Sequence, residues 1–356
     1  MRGIVWDGKE LCVVEGLAVR EPGHDEVLVR IVNAGVCHSD VSVVTGTIPF
    51  ATPVVLGHEG AGVVEQVGAG VTSVREGDHV VLSTLRSCGA CARCATGSPT
   101  LCRESFGKLS TPFTLGGVAH HAFATLGCFA QRTLVRSNQA IPIPKEVPFA
   151  SAALIGCGVL TGAGAVLHRA KVRAGERAVV VGVGGIGLNA IQALRLVGAH
   201  PIIAVDTNVE KRGIAIDFGA THFLDPSGID MGEAVRDLTG GGADYVFECV
   251  GIKSVMEEAL GCLDWGGSLV ILGVAPFGTN LEFKPESIFL DQAIMGCRYG
   301  SSRPVRDIPR YADLYLAGKL KLDELVTQLY PMQDIHQVLE DMGKGRLARG
   351  VLEFDS

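Results

Sequence analysis

The chain contains no long run of like charge, and its overall balance is acidic. Thirty-one Lys and Arg against 38 Asp and Glu give a formal net charge of -7. Nucleic acid and anionic membrane both demand a basic surface, so neither is expected as the main partner. Long apolar runs are missing too. Arg177 to Val183 and Ser268 to Val274, the most apolar stretches, are too short to span a bilayer and are punctuated by glycine. Met1 to Trp6, followed by Asp7, Lys9 and Glu10, lacks the basic stretch and apolar run of a secretory leader, which points to a soluble, cytoplasmic protein. There is no solenoid repeat and no low-complexity segment. What is present suits buried cores: 47% hydrophobic and 19% charged residues over 356 positions, a length expected to form two domains. Eleven cysteines could form disulfides, but in a reducing compartment clustered cysteines more often bind metal.

Residues up to about 158 read as short strands and turns. Val27–Val32, Gly62–Val67 and His79–Leu82 are apolar runs separated by Gly68, Gly70 and Gly77-Asp78, as in a mostly β domain. The rhythm changes near residue 159. Apolar strands at Arg177–Val183, Pro201–Val205, Asp244–Cys249 and Ser268–Gly273 alternate with helical patterns such as Ile186–Val197 and Glu210–Phe218. That alternation predicts an α/β domain with a doubly wound parallel sheet over 159–297. The tail, 298–356, is expected to return to the first domain. Subunits are expected to associate as a homodimer or homotetramer through edge strands of the second domain, around Ser268 to Val274.

Gly182-Val183-Gly184-Gly185-Ile186-Gly187 fits G-x-G-x-x-G, a weak signal alone but here set directly after Ala178–Val181 and at the start of a helix. Gly182 permits the tight turn, Gly184 the close approach of a pyrophosphate, and Gly187 close helix–strand packing, with the helix N-terminus facing the phosphates. Asp206 ends the next strand, nineteen positions after Gly187. A carboxylate there can accept both ribose hydroxyls of NAD and repel the 2′-phosphate of NADP, so NAD is the expected cofactor. The plainer alternative is a turn aspartate near a solvated glycine loop.

Cys88, Cys91, Cys94 and Cys102 place four thiols within fifteen residues. Tetrahedral zinc takes four such ligands, and four filled positions leave no room for substrate, so this zinc would be structural. Cys37, His58 and Cys157 are dispersed. Together, two thiolates and one imidazole leave a zinc position open, as in the catalytic sites of alcohol dehydrogenases. Taken singly, His58 reads as a satisfied core histidine and Cys157 as a small buried hydrophobe. Spacing does not unite the three.

In order along the chain, Gly57-His58-Glu59-Gly60-Ala61-Gly62, the four-cysteine loop, Gly156-Cys157-Gly158 with Thr161-Gly162, the glycine turn and Asp206 resemble the zinc-containing alcohol dehydrogenases of the medium-chain dehydrogenase/reductase superfamily. The likeness runs essentially end to end and implies a GroES-like catalytic domain (1–158 and 298–356) beside a Rossmann domain. It implies two zinc ions per subunit, the catalytic one held by Cys37, His58 and Cys157, with Glu59 behind the metal and Asp40 bonded to the far nitrogen of His58. By the same resemblance Ser39 accepts the alcohol proton. His38, Thr161, Gly185, Ile186, Lys211 and Arg349 contact the cofactor, and the backbone near Val250, Val274 and Tyr299 lines the nicotinamide site. Two positions depart from the family pattern. Ser42 stands where many members carry the histidine that ends the proton relay, and Thr84 stands where an aromatic side chain often narrows the pocket.

The implied reaction is reversible hydride transfer between a primary, bulky or aromatic alcohol and NAD, giving an aldehyde. Zinc acts as a Lewis acid that lowers the alcohol's pKa. Two alternatives stand beside it: a thiol-adduct-dependent formaldehyde dehydrogenase, and a non-catalytic NAD-binding redox sensor.

Overall fold

The computed structural model describes residues 1–355. The chain divides into two compact units, Met1–Cys157 with Arg303–Ser356, and Gly158–Ser302.

The first unit is built on two sheets. One has seven strands, centred on Glu26–Val36, which pairs antiparallel with Glu59–Val67, Arg132–Arg136 and Arg349–Glu353. The other has six short strands, from Leu11–Val14 to Ala18–Val19. Along Glu26–Val36 burial alternates as far as Val32, with Val27, Val29 and Ile31 inward, and then becomes continuous from Asn33 to Val36. Period-two alternation marks a strand with one wet face. Its loss marks where the strand runs into the interior, just before Cys37.

The second unit is a six-stranded parallel sheet in the order His222–Leu224, Ile202–Val205, Ala178–Val181, Ala243–Glu248, Leu263–Ile271, Ala293–Gly296. In chain order this is 3-2-1-4-5-6, the doubly wound Rossmann arrangement. Ala178–Val181 is buried at every residue, as a strand covered on both faces must be. The 13-residue helix Gly185–Val197 follows it and ends at Gly198, in the left-handed conformation (φ 78°) that a helix C-terminus commonly requires.

Two expectations need correction. Leu263–Ile271 lies between two other strands, so Ser268 to Val274 is not a sheet edge; the edges are His222–Leu224 and Ala293–Gly296. Residues 298–302, expected in the catalytic domain, belong to the second unit. Ser302 Oγ donates to the Leu160 carbonyl (3.1 Å), and a Cβ on Gly300 would lie 2.2 Å from that same oxygen, so this segment is packed onto helix Gly158–Gly164. No single helix among the described residues is long and apolar enough to cross a membrane.

Candidate active site

Strand register assembles the first cluster. Gly35 lies opposite Glu59 in one pairing and Val36 opposite Gly350 in the other, which brings Cys37, His58 and Arg349 to one end of three neighbouring strands. A Cβ on Gly35 would lie 2.4 Å from Glu59 Oε2, so glycine makes room for that carboxylate. Gly156 backs onto the Leu82 carbonyl, where a Cβ would lie 2.2 Å away, and so Cys157 is delivered beside the same sheet. The ligand atoms of Cys37, His58, Glu59 and Cys157 all lie within 4.8 Å of one another, and all four residues are buried.

Asp40 organises the cluster. It is 1% exposed, and its Oδ2 accepts the Cys37 N–H (3.1 Å) while Oδ1 accepts Gly57 N–H (3.0 Å) and faces His58 Nδ1 (3.2 Å). With Nδ1 engaged, Nε2 of His58 is left for a metal. Burial pushes the His58 pKa down, but the Asp40 carboxylate outweighs it and the net shift is upward. The Cys37 thiol is held well below its usual value by a hydrogen bond from Cys157, assisted by the Arg349 and His58 charges.

Glu59 is fully buried and neither of its oxygens has a hydrogen-bond partner, although Arg349 Nη2 lies 3.4 Å from Oε1 in an ion pair. Burial raises its pKa to about 7, against the pull of Arg349. Two soft sulfurs and an oriented imidazole in a buried pocket are the three-donor set of a zinc site with an open position, and the orphaned Glu59 carboxylate beside them adds the negative charge a cation favours, so these residues fit the metal. Ser39 Oγ is 4.0 Å from Cys37 Sγ. His58 meets the edge of Phe123 (5.3 Å, 89°), which in turn meets Phe50 (5.2 Å, 84°). Thr84 is 5% exposed and its hydroxyl has no partner.

The structure places Arg349, expected on a cofactor phosphate, in this pocket at 5% exposure and in contact with Glu59. Neither that ion pair nor the Phe50–Phe123 wall was anticipated. No local signal marks either, because their partners lie about 290 and 73 positions away in sequence.

The four loop cysteines also converge within 4.8 Å. Their Cys88–Cys94 and Cys91–Cys94 sulfur separations, 4.0 and 3.6 Å, bracket the roughly 3.8 Å edge of a tetrahedron with zinc–sulfur bonds of about 2.3 Å. Backbone N–H groups of Cys91 and Ala90 hold the Cys88 thiol down to about 6. All eleven cysteines are free of disulfides.

In the second unit Gly182 has φ +94°, and a Cβ on Gly187 would lie 1.9 Å from the Gly182 carbonyl oxygen. Gly184 has open space where a Cβ would stand and precedes the helix N-terminus. Asp206 Oδ2 accepts Val183 N–H (2.8 Å) and pairs with Lys211 Nζ (2.9 Å), so these two residues and the turn form one assembly. Ile186 is half-buried and Thr161 is 7% exposed. Val250 and Val274 are exposed, and Tyr299 has φ +45° with the Arg298 guanidinium 5.4 Å from its ring centre.

Two thiols and an imidazole at one buried point, in a chain that also carries a dinucleotide turn, would hold a metal and a dinucleotide and so define a metal-dependent oxidoreductase. Family models agree: an alcohol dehydrogenase GroES-like domain matches residues 23–145 and a zinc-binding dehydrogenase domain residues 185–317. The probable S-(hydroxymethyl)glutathione dehydrogenase 1 of Schizosaccharomyces pombe is 38% identical, covering 99% of this chain and 96% of its own. A crystal structure of an alcohol dehydrogenase zinc-binding domain protein from Burkholderia ambifaria superposes with TM-score 0.95 at 37% identity, covering 100% and 99% of the two chains. Benzyl alcohol dehydrogenase from Acinetobacter calcoaceticus gives 0.94 at 33% identity, with 99% of each chain covered. The chain belongs to the zinc-containing alcohol dehydrogenases of the medium-chain dehydrogenase/reductase superfamily, with zinc and a nicotinamide dinucleotide as its cofactors.

Proposed function

We propose that this enzyme oxidises primary alcohols, aromatic ones among them, to aldehydes with NAD, and catalyses the reverse reduction. The observation that carries the reading is the buried convergence of Cys37, His58 and Cys157 with Glu59. Zinc held by that set would supply Lewis acidity toward the alcohol oxygen, and NAD held at the glycine turn would supply the hydride acceptor. Cys37, His58 and Cys157 bind the catalytic ion, and Asp40 holds His58 in the tautomer that leaves Nε2 free. Glu59, pinned by Arg349, places negative charge behind the site. Ser39 takes the alcohol proton through Oγ and passes it outward. Ser42 is no base near neutral pH, so the proton passes to water or to another group. Gly182, Gly184, Gly185, Ile186 and Gly187 seat the pyrophosphate, assisted by His38 and Thr161. Asp206 and Lys211 hold the adenosine ribose and favour NAD over NADP, while Val250, Val274 and Tyr299 flank the nicotinamide. Cys88, Cys91, Cys94 and Cys102 hold the second, structural zinc. The enzyme works in the cytoplasm as a homodimer or homotetramer.

The aromatic wall of Phe50 and Phe123 beside His58 supports aryl-bearing substrates, as does the likeness to a benzyl alcohol dehydrogenase. A second reading, oxidation of a formaldehyde–thiol adduct, has support in the relative named S-(hydroxymethyl)glutathione dehydrogenase. NADH formation with benzyl-type alcohols, and with formaldehyde in the presence and absence of glutathione, separates the two. Turnover of formaldehyde only with the thiol, and none of any aryl alcohol, refutes the first.

A further inference from the structure

The parallel sheet of the second unit carries a carboxylate that the reaction does not use. Glu248 is the last residue of strand Ala243–Glu248 and is 0% exposed. Its Oε1 accepts two consecutive backbone N–H groups, Val250 (2.7 Å) and Gly251 (2.8 Å). Its main-chain carbonyl accepts two more, Leu272 (2.8 Å) and Gly273 (3.0 Å), from the segment after the next strand. One residue therefore ties together two loops at the C-terminal rim of the sheet, where ligands bind in doubly wound folds.

The two loops are also in contact. A Cβ on Gly251, which has φ +87°, would lie 2.8 Å from the nitrogen and oxygen of Val274. One on Gly273 would lie 2.1 Å from Gly251 N and 2.7 Å from Glu248 Oε2, so Gly273 leaves the space that the carboxylate and the neighbouring loop fill. The same clamp reaches the dinucleotide turn, because Val250 Cγ2 stands 2.7 Å from where a Cβ on Gly182 would be. With the N–H groups of Val250 and Gly251 turned inward, the side chains of Val250 and Val274 are left 42% and 54% exposed, an apolar pair at the rim.

Simple packing does not require an acid here. Burial pushes the Glu248 pKa up, against the loop N–H groups that hold it down, and Oε2 is buried without a hydrogen-bond partner. One carboxyl oxygen that accepts two consecutive N–H groups of the same turn holds that loop in one conformation. We propose that Glu248 is a positioning residue for the nicotinamide end of the cofactor: its buried carboxylate sets loop 249–251 against loop 272–274 so that Val250 and Val274 flank a flat, weakly polar ring. This rests on the NAD-linked reading given above. The adenosine end, set by Asp206 and Lys211, does not depend on Glu248.

The test uses the purified zinc-loaded enzyme and two probes, NADH and ADP-ribose, the second lacking nicotinamide. Glu248→Ala is expected to weaken NADH binding about tenfold or more, to leave ADP-ribose within about twofold, and to lower kcat at saturating NAD. Glu248→Gln keeps a carbonyl acceptor and recovers most of the NADH affinity. Hydrogen exchange at the Val250 and Gly251 amides should speed up in the Ala variant and much less in the Gln variant. If Glu248→Ala does not fold, Glu248→Asp, one methylene too short to serve both N–H groups, should give the same selective loss. Equal weakening of both probes, or no weakening of NADH, overturns the proposal. A wild-type enzyme that binds neither probe refutes the cofactor reading itself, and that failure is visible before any substitution is made.

Discussion

Removing the Asp40 carboxylate takes the acceptor from three donors at once. In Asp40→Ala the Cys37 and Gly57 N–H groups (3.1 and 3.0 Å from the carboxylate) and His58 Nδ1 (3.2 Å) would all face an apolar methyl in a pocket closed to water. Each buried donor left without a partner costs about 1–3 kcal/mol, so even at the low end the loss is about 3 kcal/mol locally. The imidazole would then be free to rotate or to change tautomer. Losing the outer partner of a metal-bound histidine weakens metal binding about 10–100-fold, or about 1.4–2.7 kcal/mol. Asp40→Asn should recover only part of this, since its NH2 must face either the Cys37 or the Gly57 N–H. The measurement is zinc content per subunit during titration with a chelator, followed alongside kcat. The expected result is early release of one zinc together with activity, while the zinc of the four-cysteine loop stays bound. An Asp40→Ala enzyme that kept both ions through a wild-type chelator profile would refute the argument.

Three further outcomes are expected. Asp206→Gly removes both the ribose acceptor and the Lys211 ion pair, so the kcat/KM preference for NAD over NADP should fall by about tenfold or more; an unchanged ratio would count against Asp206. Cys91→Ser should lose the structural zinc and lower the melting temperature while the Cys37, His58 and Cys157 site still takes up its ion; a variant with both zincs and wild-type stability would disprove the four-sulfur site. Burial pushes the Asp244 carboxyl up, but the Arg177 side-chain and backbone hydrogen bonds outweigh it and its pKa lies below normal. That stabilisation is fully present above the unfolded carboxylate pKa near 4 and is lost as pH falls through the lower folded value. The pair is partly exposed, so Asp244→Asn should cost no more than about 1 kcal/mol at neutral pH and should flatten the acid limb of the unfolding curve, read by urea denaturation between about pH 2 and 5. An acid limb as steep as that of the wild type would show that Asp244 contributes nothing to it.

Much of the second unit was legible because its signals are local. The apolar run Ala178–Val181, the glycines that follow it and Asp206 lie within about thirty residues, and each acts through backbone geometry that its own side chain dictates. Sheet edges were not legible in this way: Ser268 to Val274 looked like a border until Ala293–Gly296 was seen to pair outside it. The role of Glu248 was invisible for the same reason, since an acid closing a strand reads as a turn residue until the neighbouring loop is in place.

By itself the amino-acid order determined the glycine turn, the strand–helix alternation and the four-cysteine loop, because in each the interacting groups are close along the chain and one short segment contains the whole device. Only the tertiary structure decided that Cys37, His58, Cys157 and Arg349 share a buried point. Cys37, His58 and Arg349 are joined by antiparallel pairings between strands tens to hundreds of positions apart, with Gly35 opposite Glu59 and Val36 opposite Gly350, and Gly156 sets Cys157 against the same sheet. A register shift of one residue would turn the same side chains to the opposite face; the inward alternation of Val27, Val29 and Ile31 opposes such a shift, but which strand lies alongside is settled only in the folded sheet.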